Sequence, residues 1–73
     1  MNKTFKEREA LAKRLKYLRT NKGLSRRDLD LSSGVSETTI KDIENMRVSA
    51  GFDVLVKLAR SFNMTLSEFL ENI

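Results

Sequence analysis

Cysteine and histidine do not occur in this chain of 73 residues. Without cysteine there is no disulfide and no thiolate nucleophile. Without histidine the side chain most used for acid–base catalysis and metal ligation is gone. Carboxylates are then the remaining candidate metal ligands, and no clustered set of them appears. The three glycines are scattered, so no glycine-rich loop is available to cradle a phosphate. Together these absences argue against an enzyme, and no cofactor is expected. No apolar run approaches the roughly 20 residues of a membrane helix, so no membrane association is expected. The N-terminus is charged throughout, unlike a secretory signal, which makes the cytoplasm the expected compartment. Proline is absent too, and strand-like alternation appears nowhere.

What is present is a charge imbalance and a helical period. Of 14 basic and 10 acidic residues, giving a net charge of +4, residues 1–22 hold eight bases and only Glu7 and Glu9 as acids. The rest of the chain is slightly acidic. A basic chain of this size points to a polyanionic partner, although lysines on an amphipathic helix also serve simply as its solvated face. The length fits one domain with a small core, near the size where net stability is only a few kcal/mol.

The organising stretch is Leu24 to Arg47. Ser25 has the chemistry of an N-cap, and Asp28 three residues on completes a variant capping box. A helix follows through Leu29 to about Ser32. Gly34 supplies a position with φ > 0 that ends it. Ser36 caps a second helix, in which Ile40 and Ile43 share one face. Two helices joined by a glycine-containing turn of about four residues form the helix-turn-helix pattern.

The flanks read as three more helices. Thr4-Phe5-Lys6-Glu7 is a capping box that starts a helix at Phe5. Leu11, Leu15 and Leu18, with Ala12, form its core stripe, and Gly23 follows its end as the C′ residue. Leu24 would tuck beneath that end. Gly51 or Ser49 caps a fourth helix, whose stripe is Leu55, Leu58, Ala59 and Phe62, and Asn63 ends it in the left-handed region. Thr65-Leu66-Ser67-Glu68 is a second capping box, opening a short helix that carries Phe69, Leu70 and Ile73.

These residues resemble the Cro/C1-type helix-turn-helix domain of phage and bacterial regulators, also called the XRE family. Leu15, Leu18-Arg19, Lys22-Gly23-Leu24-Ser25, Leu29, Gly34-Val35-Ser36, Thr39-Ile40, Ile43-Glu44 and the run from Leu55 to Leu70 carry the likeness, without a gap over residues 11–70. The resemblance implies an all-α, five-helix, lambda-repressor-like fold. It also implies a homodimer on double-stranded DNA with a palindromic operator, the third helix lying in the major groove. Ser25, Arg26, Arg27, Asn45 and Arg47 would meet phosphates. Glu37, Thr38, Lys41 and Asp42, with Ser36 at the edge, would face bases. Arg19 and Glu44 would form a structural ion pair between the first and third helices. No small-molecule ligand is expected, and regulation would come from concentration, a partner or competing operators.

Several positions depart from the family pattern. Arg26 stands where glutamine is usual. Asp30 replaces an alanine, so its carboxylate must lean out to solvent or find a donor, Arg26 or Arg27 being the nearest in sequence. Met46 replaces a glycine, so the turn after the third helix is made either without φ > 0 or at some strain. The third helix holds Glu37, Asp42 and Glu44 against one base, Lys41. Glu37 serves either the helix dipole or a cytosine amino group, and Asp42 on the groove face would either read cytosine or repel phosphate, a repulsion that a partner in Arg47 or Lys41 would soften. That acidity supports the alternative of a protein-interaction module, an antitoxin or an antagonist of another regulator, on the same fold. Leu31, Val56, Phe69, Leu70 and Ile73 are apolar beyond the evident needs of the core and are candidates for a dimer surface, and Tyr17 reads as a lone surface aromatic.

Overall fold

In the computed structural model, residues 4–71 and 73 are described. They form five helices and no strand: α1 (Phe5–Asn21), α2 (Arg26–Ser33), α3 (Glu37–Glu44), α4 (Phe52–Ser61) and α5 (Leu66–Phe69). Every helix contributes to one core. Its fully buried large side chains are Leu15 of α1, Leu29 of α2, Ile40 and Ile43 of α3, Leu58 of α4 and Phe69 of α5. α1 packs on α3, α2 packs on both α3 and α4, and α5 packs on α4. The Phe62 and Phe69 rings stack with centroids 6.3 Å apart, and the Lys22 ammonium lies 5.6 Å above the Phe62 ring.

Local chemistry sets most helix ends. The Ser25 hydroxyl accepts from the Asp28 N–H at 3.0 Å while the Asp28 carboxylate accepts from the Ser25 N–H at 2.9 Å, a complete capping box. Thr65 and Glu68 repeat it at α5. In both boxes the backbone N–H holds the carboxylate below its ordinary pKa. Gly51 rather than Ser49 takes the N-cap position of α4. α1 starts at Phe5, but not through the expected box. Thr4 has φ −103° and ψ 16°, outside the extended region an N-cap uses, and its side chain makes no capping hydrogen bond.

The exits use left-handed residues. Gly23 at φ 69° lets the Leu24 N–H reach back to the Arg19 carbonyl, which turns Leu24 against the core. Gly34 at φ 79° closes α2. Met46 takes φ 59°, so the turn after α3 carries the strain. The reason lies in the hydrogen bonds it permits. Met46 N–H donates to the Ile43 carbonyl at 3.1 Å and Arg47 N–H to the Asp42 carbonyl at 2.8 Å, the paired bonds of a Schellman ending. The Met46 carbonyl in turn accepts from Arg8 Nη2 at 3.0 Å.

Of the residues proposed as spare apolar surface, Phe69 is not spare. It is fully buried, because the turn after Asn63 folds α5 back onto Phe62. Leu31, 74 % exposed, does stand in solvent, as does Tyr17.

Candidate nucleic-acid interface

α3 is amphipathic over only eight residues, and its two faces are sharply divided. Ile40 and Ile43 point inward. Glu37, Thr38, Lys41 and Asn45 are exposed, and their spacing of one and four residues puts them on the opposite face. Ser36 stands at the head of this stripe. Its hydroxyl accepts from the Thr39 N–H at 3.1 Å and donates to Thr39 Oγ1 at 2.8 Å. Asp42 is half-buried at the edge of the stripe. Among the described residues neither Lys41 nor Arg47 forms an ion pair with it, and Arg47 meets Asp42 through the backbone alone, N–H to carbonyl.

The residues read as phosphate contacts fall at two places. Ser25, Arg26 and Arg27 are at the N-terminus of α2, and Asn45 and Arg47 at the C-terminus of α3. Ser25, Arg27, Asn45 and Arg47 are exposed. The Arg26 and Arg27 N–H groups precede the first intrahelical bond of α2, which runs from Leu29 N–H to the Ser25 carbonyl. They leave partial positive charge at that end.

Asp30 finds a donor that its sequence neighbours do not suggest. Its Oδ2 accepts at 2.9 Å from the backbone N–H of Glu37, the first residue of α3, and not from Arg26 or Arg27. The short turn brings α2 across the start of α3, so a side chain of one helix caps the other. Nothing in the local pattern signals this, because the partner is a main-chain group seven residues on.

Glu44 is the centre of a second tie. Its side chain is 1 % exposed. Arg19 Nε donates to Oε2 at 2.8 Å and Arg19 Nη2 to Oε1 at 3.0 Å, a bidentate pair, while Arg19 Nη1 donates to the Leu24 carbonyl at 2.8 Å. The hydrogen bond to Glu44 raises the Arg19 pKa above its usual value, against the opposing effect of burial. Arg26 joins the same carboxylate: its Nε donates to Oε1 at 3.1 Å, and its Nη2 lies 3.1 Å from that oxygen. One buried acid of α3 thus holds α1 and α2 together. The sequence points to Arg19 but not to Arg26 as its partner.

A further long-range tie was missed as well. Arg14 Nε donates to the Phe69 carbonyl at 3.1 Å and Nη2 to the Glu68 carbonyl at 3.0 Å. Among the described residues no set of acids could hold a metal ion, and no helix is long and apolar enough to cross a membrane.

A helix-turn-helix family profile matches residues 15–69. The chain is 38 % identical over 60 residues to the HTH-type transcriptional regulator PuuR of Escherichia coli, and equally to that of Shigella flexneri. Those 60 residues are 82 % of this chain and 32 % of either relative, so the chain spans about a third of their length. Among solved structures, the clp gene regulator ClgR of Corynebacterium glutamicum superposes with a TM-score of 0.77 at 26 % identity, covering 88 % of this chain and 68 % of that one.

Proposed function

The chain belongs to the helix-turn-helix family of Cro/C1 type, and on that premise we propose that it is the DNA-binding domain of a transcriptional regulator. The observation that carries this is the uncovered stripe of α3, presented on a helix that Ile40 and Ile43 hold to the core and Glu44 ties to Arg19 and Arg26. The N-terminus of α2 and the C-terminal turn of α3, joined through Arg26 and Glu44, place Arg26, Arg27, Asn45 and Arg47 at one end of it, the residues read as phosphate contacts. The regulators PuuR and ClgR, similar in sequence and in fold, support the same role.

In this reading α3 enters the major groove, with Glu37, Thr38, Lys41 and Asp42 facing base edges and Ser36 at their margin. Ser25, Arg26, Arg27, Asn45 and Arg47 meet phosphates and set register and orientation, with no sequence information of their own. Thr38 offers a methyl group to thymine, Lys41 a donor to guanine, and the carboxylates acceptors for the cytosine amino group. The protein acts as a homodimer on a palindromic operator in the manner of a repressor, in the bacterial cytoplasm on the nucleoid.

Selection of bound duplexes from a random library at moderate salt tests this. An inverted repeat with half-sites about one helical turn apart is the expected product. Failure to enrich any sequence, with the protein folded and helical, would overturn it. The exposed acid Glu37 and the half-buried, unpaired Asp42 favour a second reading in that event, a protein-interaction module such as an antitoxin or an antagonist of another regulator. Pull-downs would then identify the partner.

A further inference from the structure

Glu44 is an acid on the helix read as the groove reader, and a phosphate-lined groove disfavours acids. Its environment reverses that expectation. The carboxylate is 1 % exposed and takes three hydrogen bonds from two guanidinium groups. Two cations therefore surround one anion, and the cluster as a whole carries an excess positive charge.

That excess is not shared evenly. The Arg19 side chain is 11 % exposed, with Nε, Nη1 and Nη2 all donating to protein oxygens. Arg26 is 32 % exposed. Its Nε and Nη2 are turned to Glu44, and among the described residues no acceptor meets Nη1. The excess charge thus reaches solvent through Arg26, at the end of α2 where the Arg26 and Arg27 N–H groups lack intrahelical partners.

We propose that Glu44 is a positioning residue for phosphate binding: it holds the inner edge of the Arg26 guanidinium so that the outer edge and the α2 N-terminus present one preorganised anion site. This rests on the DNA-binding reading above and specifies how one of its backbone contacts is made. A free arginine would have to lose its rotamer freedom on binding, whereas Arg26 has lost it on folding. A lysine cannot take this part, because a single ammonium has no second edge.

The test compares wild type with Arg26→Lys, Arg26→Ala and Glu44→Gln. Each is titrated with mixed-sequence duplex DNA across a salt series, and each is checked by thermal melting. Arg26→Ala should lower the log–log salt slope by about 0.9 per bound protomer. Arg26→Lys keeps the charge yet should bind at least about fivefold more weakly than wild type, since the forked contact is lost. Glu44→Gln, if it folds, should weaken wild type and leave the Arg26→Ala background unchanged, a coupling in affinity that a merely structural role would not produce. Arg26→Lys binding within about twofold of wild type, with an unchanged slope, overturns the proposal whatever Glu44→Gln does. If wild type itself binds no duplex at low salt, the DNA-binding reading fails and this one falls with it, so the two failures are told apart by the wild-type titration alone.

Discussion

Replacing Glu44 with alanine should be among the most damaging single substitutions in this protein, and the size of the effect follows from what surrounds it. The substitution removes the acceptor of three hydrogen bonds and leaves the Arg19 guanidinium, with 11 % of its side chain exposed, without an anion. Breaking a buried pair by removing one partner costs about 3–5 kcal/mol, because the remaining charge is neither solvated nor paired. Arg26 adds little to that cost, being free to swing into solvent. A chain of 73 residues has about 4–11 kcal/mol of stability in total, so the variant should lie near the edge of folding. At about 4–8 °C per kcal/mol, the melting temperature followed by circular dichroism should drop by about 12 °C or more. The companion variant Arg19→Met with Glu44→Leu removes both charges and refills the space, and should be markedly milder than Glu44→Ala. A Glu44→Ala protein that melts within about 4 °C of wild type would refute the reasoning, since the ion pair would then be no stronger than a surface one.

The remaining expectations are smaller. Asp30→Ala removes the acceptor for the Glu37 N–H and should cost about 1 kcal/mol in a thermal melt, as the loss of an N-cap does. Asp30→Asn keeps an oxygen there and should cost less, so equal losses would rule out the capping role. Leu58→Ala opens a cavity in the fully buried core and should lower stability by about 2–5 kcal/mol in urea titration, whereas Leu31→Ala, on an exposed side chain, should stay within about 0.5 kcal/mol. Asp28 and Glu68 have pKa values lowered on folding, so their contribution is complete above the ordinary carboxylate range and is lost as pH falls through and below it. The stability gap between wild type and Asp28→Asn should therefore shrink with acidification, and a gap independent of pH would contradict the assignment.

The parts of the fold that sequence made legible are those decided within one helical turn. Ser25 and Thr65 cap because their partners lie three residues on, Gly23 and Gly34 end helices because only the backbone matters there, and Ile40 and Ile43 are buried because their spacing shares a face. The illegible parts depend on where a helix lands. Asp30 meets a backbone N–H of the next helix, Arg26 meets a carboxylate 18 residues on, and Arg14 meets carbonyls 54 and 55 residues on. A backbone acceptor has no residue identity, so no pairing pattern could reveal the Arg14 contacts. Thr4 shows the converse: its motif makes no capping hydrogen bond, because its own φ and ψ lie outside the extended region. In the candidate site, periodicity gave the buried face of α3 and the family resemblance gave its base-facing residues, whereas the double occupancy of Glu44 required the crossing of α2 over α3.

The Arg14 clasp has a consequence for how the chain comes apart. A helix of four residues cannot persist in water by itself, since its nucleation is not recovered by propagation. α5 owes its order to Phe69 in the core and to the two carbonyls at its end held by a side chain of α1. A side chain of α1 therefore ties α5 in place across 54 and 55 residues of sequence. Fraying of α5 then requires the Arg14 hydrogen bonds to break and Phe69 to leave the core.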